Sequence, residues 1–265
     1  MQRFTKALLV SLLSSSVKVA AFANLSCKSI PRPASFSSLS MSSTETYMDA
    51  LSRAASEALG KPVKFKATSG GGYSGGGGAS TSAVEDEEGT KYFVKAASGG
   101  KDMLRAEYLG VKDMSDTKTI RVPTPVCYGE YQNRAFAVFE YLQFTGGGSQ
   151  YELGQKLAQM HRKISDKGFG FHVDNTIGAT PQPNLPWMDD WADFWDEKRL
   201  GHMLKLTGNA GLDNKKIEKL RAKTRELLSH NPAPSLVHGD LWGGNKSFCI
   251  DNGKTVPVIF DPATY

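Results

Sequence analysis

Three side chains near the C-terminal end of this 265-residue chain have the types and the spacing that phosphate chemistry needs. Asp240 and Asn245 lie in the stretch SLVHGDLWGGNKSF, with the pattern D-x-x-x-x-N, and Asp261 directly follows the apolar run VIF. Phosphoryl transfer requires a carboxylate that accepts the hydrogen bond of the attacking hydroxyl, together with hard oxygen ligands for Mg²⁺. The pattern therefore predicts Asp240 as the proton acceptor, and Asn245 and Asp261 as ligands of Mg²⁺.

The first half of the chain holds residues that would position phosphates. Lys95 lies in the middle of the apolar run KYFVKAA, where a charge needs a partner, and Glu107 in the next predicted helix would pair with it and aim it at phosphate groups. Upstream, the stretch GGGYSGGGGAS lets backbone amides approach phosphates closely, because glycine has no Cβ. Alone, such motifs are as typical of a linker or of a lysine at a strand surface, and only their order along the chain favours a phosphotransferase site. The predicted phosphate-binding residues of this glycine loop are Gly71, Gly72, Tyr73, Ser74 and Gly75.

The elements that must position these residues fall into two groups. The first group, after a helix at residues 47–60, is predicted as five short strands and one helix, and the second consists mainly of helices and ends in a strand hairpin around Asp251-Asn252-Gly253. The predicted helices cover residues 47–60, 101–114, 151–164, 187–206 and 215–230. The predicted strands cover residues 63–69, 81–84, 91–97, 122–130, 134–142, 246–250 and 256–260, and residues 169–186 are predicted as one long loop.

Residues 1–44 are typical of a targeting presequence. They contain five basic residues and no acidic residue, so the formal charge of +5 belongs to them and the remaining 27 basic residues balance 27 acidic ones. The apolar run ALLVSLLSSSVKVAA is too short and too interrupted to span a membrane. A signal-like run followed by a Ser-rich, acid-free run is typical of leaders for plastids, including the bipartite leaders of complex plastids, with the mitochondrion as the alternative. We therefore expect an organellar protein that binds neither nucleic acid nor membrane.

Three cysteines are present, Cys27, Cys127 and Cys249, without a CxxC pair or the spacing of a metal site. An odd number of scattered cysteines favours a reducing compartment and no disulfide framework.

The stretches LVHGDLWGGN and VIFDPA resemble the fructosamine-3-kinase (ketosamine-3-kinase) family of the protein-kinase-like superfamily. The stretches FVKAA, LGQKLAQMHR, FGFHVDNTIGATPQPN and DDWADFWDEKRL match the pattern of that family too, so the resemblance covers Tyr47 to Tyr265. It implies an α+β, bilobal fold with a small N-lobe, made of an antiparallel sheet plus one helix, and a mainly helical C-lobe. It also implies ATP and Mg²⁺ as cofactors, and phosphorylation of the 3-hydroxyl of ribulosamines or fructosamines, on glycated proteins or as small ketosamines, which leads to deglycation.

By motif position, the resemblance gives Asp240 as the base, Asn245 and Asp261 as metal ligands, and Lys95 with Glu107 as the phosphate-positioning pair. It further implies that the backbone of Glu140, Tyr141 and Leu142 contacts adenine. Trp242, two residues after the base, would form an apolar wall for the sugar, although a packed loop tryptophan is the structural alternative.

The predicted organisation is a presequence over residues 1–44, a nucleotide-binding lobe over 45–144 and a catalytic lobe over 145–265. The resemblance implies further helices after DPA, so we expect a shortened form in which apolar surface of the second lobe is exposed. Two other functions stay open: another small-molecule kinase of the aminoglycoside or choline type, and an inactive nucleotide-binding module. The preferred sugar, the protein targets and the oligomeric state do not follow from the sequence.

Overall fold

The structure, a computed structural model, describes residues 45–68, 73–74 and 78–265. The predicted presequence and the glycine-loop residues Gly71, Gly72 and Gly75 lie outside the described residues. The described helices are α1 (Tyr47–Leu59), α2 (Lys101–Asp116), α3 (Gln150–Met160), α4 (Trp191–Phe194), a π-helical segment (Trp195–Gly201), α5 (His202–Leu206) and α6 (Asn214–Leu228). The described strands are β1 (Lys66–Ala67), β2 (Tyr73–Ser74), β3 (Ser80–Glu85), β4 (Lys91–Ser98), β5 (Pro125–Tyr131), β6 (Arg134–Glu140), β7 (Phe144–Thr145), β8 (Asn175–Ile177), β9 (Thr180–Gln182), β10 (Lys246–Asp251) and β11 (Lys254–Ile259).

The first part of the chain forms a six-stranded antiparallel sheet in the order β1-β3-β4-β6-β5, with β2 paired to β3. Helix α1 begins at a capping box between Thr46 and Asp49 and buries one apolar side against the sheet. Helix α2 packs on the opposite face. Side chains alternate along β4, so Val94 lies in the α1 cluster, whereas Lys95 lies on the α2 side with Ala97. The sheet therefore presents a lysine to the helix that carries Glu107.

The second part is mainly helical and contains a three-stranded sheet in the order β11-β10-β7. The β10–β11 hairpin turns at Asn252 and Gly253, with φ angles of 48° and 77°, as expected for an Asn-Gly turn. Ile259, the last residue of β11, is fully buried in the core cluster that also contains residues of α2 and α3. This buried strand end carries Asp261. The α+β fold class is confirmed.

Several boundaries differ from the prediction. The strand predicted over residues 63–69 is reduced to Lys66–Ala67, and Tyr73–Ser74, predicted as part of a loop, forms a short strand paired with Thr81 and Ser80. Strand β6 ends at Glu140, so residues 141 and 142 lie after it. Helix α3 ends at Met160, because the chain then turns into a bridge between Ile164 and Ser235.

Two larger differences concern the second part. The loop predicted over residues 169–186 contains the β8–β9 hairpin, which the prediction missed. The helix predicted from Trp187 begins only at Trp191, because the side chain of Asp190 caps it by accepting a hydrogen bond from the backbone N–H of Asp193 at 2.9 Å. The predicted division between residues 144 and 145 stays a prediction, and in the structure it falls inside β7.

No helix in the described ranges combines the length and the apolar character needed to cross a bilayer.

Candidate active site

One cleft of about 350 Å³ brings together the side chains that the sequence predicts from its two halves. Its predicted lining residues are Lys95, Glu107, Asp240, Trp242, Asn245 and Asp261. Ala79, Met103, Asn175, Thr176, Gly178, Pro262 and Ala263 complete the lining. Ala79 immediately follows the glycine loop, so the described end of that loop reaches the cleft.

Lys95 is held between two carboxylates. Its Nζ lies 2.8 Å from Oε1 of Glu107 and 2.5 Å from Oδ1 of Asp261, and only 10% of its side chain is exposed. Burial alone would lower the pKa of Lys95, but the charges of Glu107 and Asp261 outweigh it and the pKa is raised. Lys95 therefore stays a cation in the cleft, as its predicted contact with phosphates requires.

The pKa of Glu107 is set by opposing effects of burial and of neighbouring charges. Burial raises the pKa of the Glu107 carboxyl, the neighbouring charge of Lys95 lowers it, and the charge of Asp261 raises it again. Its net pKa lies above the ordinary value. Helix α2 packs on the segment that follows Asp261, because at Gly110 an added Cβ would lie 2.3 Å from Oγ1 of Thr264.

Asp240 and Asn245 are joined directly. Nδ2 of Asn245 donates to Oδ2 of Asp240 at 3.1 Å, to the backbone oxygen of Asp240 at 2.9 Å and to the backbone oxygen of Asp261 at 3.2 Å. The amide nitrogen is thus used in fixing the loop, which leaves the amide oxygen of Asn245 as its possible metal ligand. Burial and the charge of Asp261 raise the pKa of Asp240, although the hydrogen bond from Asn245 opposes this shift.

His238 fixes the backbone of the loop. It is 2% exposed, and burial lowers its pKa to about 4, so its ring is neutral at physiological pH. Its Nε2 lies 3.0 Å from the backbone oxygen of Phe260, and its Nδ1 accepts from the backbone N–H of Asp240 at 3.3 Å. A neutral ring with its proton on Nε2 satisfies both contacts and ties the Asp240 loop to the end of β11.

The glycine of the HGD triplet is required sterically. Gly239 has a φ of 80°, and an added Cβ would lie 1.8 Å from the backbone oxygen of Ala263. The loop therefore packs directly on the segment that follows Asp261.

Trp242 is 63% exposed and lines the cleft. Its ring lies against Gly244, where an added Cβ would approach the ring to 2.3 Å. The structure thus contains the exposed aromatic surface that the sugar-wall prediction requires. The assignment of Trp242 as a wall for the sugar stays a prediction.

Glu140, Tyr141 and Leu142 lie at and after the end of β6 and are not among the residues that line this cleft. The Glu140 carboxylate bonds with Arg121 and accepts from the backbone N–H and the hydroxyl of Thr124, at 3.0 and 2.8 Å. These bonds fix the start of the connection between the two parts of the chain. The adenine contact of this connection stays a prediction.

The residues of the cleft suit Mg²⁺ bound together with a nucleotide. The carboxylate of Asp261 is 46% exposed, and the donor set is composed of oxygens, which Mg²⁺ prefers. Within the described residues, no group of three or more His, Cys, Asp or Glu side chains is arranged to hold a metal. Mg²⁺ sites commonly use one or two carboxylates and take their other ligands from substrate phosphates and water, and Asn245 and Asp261 as ligands stay a prediction.

Sequence reasoning missed several residues that line the cleft or fix its loops. The hydrogen bonds by which His238 links the Asp240 loop to Phe260 were not predicted. Gly239 belongs to the HGD triplet of the sequence, but its contact with Ala263 is visible only in the structure. Asn175 and Thr176 lie within the stretch FGFHVDNTIGATPQPN, whose match to a family was the one available signal.

Comparison with known proteins agrees with the fold. The sequence model of the family described as fructosamine kinase matches residues 47–265. A probable ketoamine kinase of Synechocystis sp. is 45% identical over 179 residues, covering 66% of this chain and 59% of that protein. A chloroplastic protein-ribulosamine 3-kinase of Arabidopsis thaliana is 44% identical over 182 residues, covering 66% of this chain and 55% of that protein. The chain thus spans less than two thirds of the length of these relatives.

Among solved structures, a putative fructosamine-3-kinase from Haemophilus somnus 129PT superimposes with a TM-score of 0.65 and 27% identity, covering 81% of this chain and 71% of that chain. Another from Thermobifida fusca has a TM-score of 0.63 and 24% identity, covering 81% of this chain and 73% of that chain. The bilobal, protein-kinase-like fold is therefore confirmed. On the match over residues 47–265, the chain belongs to the fructosamine kinase family.

Proposed function

We propose that this protein is an ATP-dependent kinase that phosphorylates the 3-hydroxyl of ketosamines, ribulosamines or fructosamines, on glycated proteins or as small molecules. The observation that carries the proposal is the cleft in which Lys95, Glu107, Asp240, Asn245 and Asp261 meet. The names of the relatives, ketoamine kinase and protein-ribulosamine 3-kinase, support the class of acceptor.

Each side chain has a distinct part in this reaction. Asp240 accepts the proton of the acceptor hydroxyl while the oxygen of that hydroxyl forms a bond to the γ-phosphorus of ATP. The bond between that phosphorus and the leaving ADP oxygen breaks. Lys95, aimed by Glu107, binds phosphate oxygens and stabilises their charge. Asn245 and Asp261 would hold Mg²⁺, which would supply neutralisation of the charge on the phosphates.

The acceptor would lie between Asp240 and the exposed ring of Trp242. An exposed indole gives a flat apolar surface against which a sugar chain packs, while the carboxylate contacts its hydroxyl. The raised pKa of Asp240 brings the carboxyl nearer to the working pH and makes it a better proton acceptor.

The product would repair a glycated amine. Phosphate is a far better leaving group than hydroxide, so a ketosamine 3-phosphate loses inorganic phosphate and then releases the amine by hydrolysis. Repair of glycated proteins is therefore the role that we propose. An organelle, most simply the plastid, is the proposed site, because residues 1–44 have the composition of a presequence and the plant relatives are named chloroplastic.

The test is incubation of the protein with Mg·ATP and Nα-protected ribulosyl-lysine or fructosyl-lysine, with the 3-phosphate followed by ³¹P NMR. We expect the ketosamine 3-phosphate with the wild type and none with Asp240→Asn. Choline and an aminoglycoside serve as alternative acceptors. Phosphorylation of either of these instead of the ketosamines, or binding of Mg·ATP without transfer to any acceptor, would refute the proposal.

A further inference from the structure

The β8–β9 hairpin is joined by side chains to the segment that follows Asp261. Nδ2 of Asn175 donates to the backbone oxygen of Thr264 at 2.7 Å. Nε2 of Gln182 donates to the backbone oxygen of Ala263 at 3.0 Å and to Oδ1 of Asn175 at 2.9 Å. The two side chains thus form a hydrogen-bonded amide pair that donates to the backbone carbonyls of Ala263 and Thr264.

This amide pair lies in a buried environment, where the loss of a hydrogen bond is costly. Gln182 is 6% exposed, and Ala263 and Thr264 are 3% and 1% exposed. A buried carbonyl that loses its donor keeps its full desolvation cost, because water does not replace the lost partner. The geometry of the segment therefore depends on the hairpin.

The same segment is held from the opposite side by the catalytic loop. The backbone N–H of Ala263 donates to the oxygen of His238 at 2.9 Å, and the Ala263 oxygen faces Gly239 so closely that no Cβ fits between them. Asp261 itself has a φ of 58°, a left-handed backbone conformation that costs energy in residues other than glycine, although Asp and Asn adopt it more readily than most. The contacts of Ala263 with the catalytic loop and with Gln182 hold the backbone that directly follows this residue.

The hairpin also reaches the cleft and the helix that carries Glu107. Thr176 and Gly178 of its tip line the cleft next to Asn175. In the loop before the hairpin, Nε2 of His172 lies 2.8 Å from Oδ2 of Asp113 on α2. The hairpin is thus connected to α2, to the cleft and to the segment after Asp261.

We propose that Asn175 and Gln182 are positioning residues for Asp261: through the carbonyls of Ala263 and Thr264, they hold the Asp261 carboxylate in the orientation that binds the metal of the metal–nucleotide complex. The inference depends on the proposed function only in that Asp261 is a metal ligand. It does not depend on the identity of the acceptor.

The test measures metal binding without turnover. Mn²⁺ replaces Mg²⁺ as the probe, and its binding to the 265-residue chain is followed by electron paramagnetic resonance in the presence of a non-hydrolysable ATP analogue. Asn175→Asp keeps the size of the side chain and the acceptor for Gln182, but removes the donor to Thr264. Gln182→Met removes both donors of Gln182 without adding a charge. Asn214→Asp makes the same chemical change as the first variant at an exposed position outside the cleft lining and serves as the matched control.

We expect Asn175→Asp and Gln182→Met to weaken Mn²⁺ binding about tenfold, the usual scale for residues that orient a metal ligand. Asp261→Asn should weaken it further, and Asn214→Asp should bind Mn²⁺ as the wild type does. In Asp261→Asn, the change Asn175→Asp should have no additional effect on Mn²⁺ binding, a result that a purely structural role would not give.

Four results would overturn the inference: wild-type Mn²⁺ affinity in both hairpin variants, an undiminished effect of Asn175→Asp in the absence of Asp261, absence of Mn²⁺ binding by the wild type, or loss of cooperative unfolding in both hairpin variants. If the wild type and the variants bind Mn²⁺ as expected above but the wild type does not phosphorylate ketosamines, the proposed function is refuted and this inference stands.

Discussion

Replacing Lys95 by Met tests how much the buried ion pair between Lys95 and Glu107 contributes to the stability of the fold. The change keeps most of the side-chain volume but leaves Glu107, 12% exposed, without its cation. Removing one partner of a buried pair costs about 3–5 kcal/mol, because the other charge stays buried without compensation. The bond of Lys95 with Asp261 adds little to this cost, since that carboxylate is 46% exposed and water replaces the lysine there.

For a domain of this size, about 1 kcal/mol shifts the Tm by about 2–4 °C, so Lys95→Met should lower the Tm by about 6–20 °C at neutral pH. Differential scanning calorimetry measures this shift. Lys66→Met is the matched control, because Lys66 pairs at 3.0 Å with Glu85 in the same sheet but has a side chain that is 65% exposed. An exposed pair contributes about 0–1 kcal/mol, and its loss should lower the Tm by no more than about 4 °C.

The loss of stability should depend on pH through Glu107. Burial already raises the pKa of Glu107, and removal of Lys95 takes away the charge that opposes this shift. The folded state of the variant then binds a proton that the unfolded state releases, so stability falls as the pH rises through the pKa of Glu107 in the folded state. We therefore expect the Tm difference between wild type and Lys95→Met to shrink on acidification.

The double variant Lys95→Met, Glu107→Gln should recover part of the lost Tm, because a neutral amide needs no cation. Mg·ATP should raise the Tm of the wild type but not of either variant, because both lack the phosphate-positioning lysine. A Tm loss that is equal at about pH 5 and about pH 8, combined with no recovery in the double variant, would refute the reasoning.

Three further predictions concern the catalytic loop and the N-terminal region. Gly239→Ala should lower the Tm and abolish turnover, because a Cβ would lie 1.8 Å from the Ala263 oxygen; calorimetry and the ketosamine assay measure both, and wild-type values would contradict the packing described. Asp240→Asn should reduce turnover by about 10²–10⁴-fold with nucleotide binding retained. In the wild type, kcat/KM should rise with pH through the Asp240 pKa, which burial and Asp261 raise above the ordinary 3.8; a rising limb at or below that value would contradict its role as the base. Deletion of residues 1–44 should leave the Tm unchanged, and a lowered Tm would show that they contribute to the fold.

The convergence of the cleft residues could be predicted because each is marked by its local sequence. Lys95 is a charge within an apolar strand, and Asp261 directly follows an apolar run that is long enough to be recognised as buried. Asp240 and Asn245 share one loop, so their proximity required no knowledge of the fold. For these residues, element type and order along the chain carried most of the spatial information.

The β8–β9 hairpin could not be predicted in the same way. Each of its strands has three residues, too few for a two-residue period to be recognised, and Pro181 within β9 argues against a strand. Its position depends on Asn175 and Gln182, whose partners are carbonyls 89 and 81 residues away in sequence. Contacts between side chains and backbone groups that are distant along the chain produce no periodic pattern in the sequence.

The π-helical segment was missed for a related reason. Its sequence has a helical pattern, but tertiary ion pairs determine its geometry: Asp196 is 1% exposed and binds both Arg221 and Arg225 of α6 at 2.7 Å. At Gly201, an added Cβ would lie 2.7 Å from the backbone oxygen of Asp196, so the wider turn depends on a glycine at that place. The seven-residue segment alone does not reveal such a combination of a buried ion-pair acceptor and a required glycine.

The two acids of the proposed reaction belong to different chain segments, and the contacts around Ala263 decide how these segments are placed relative to each other. His238 and Gly239 contact Ala263 from the Asp240 loop, and Gln182 contacts it from the hairpin. Phosphoryl transfer depends on positioning more than on covalent chemistry, so a small displacement of Asp261 relative to Asp240 should affect turnover strongly. It follows that conservative changes around this buried segment should reduce turnover more than changes at the exposed hairpin tip.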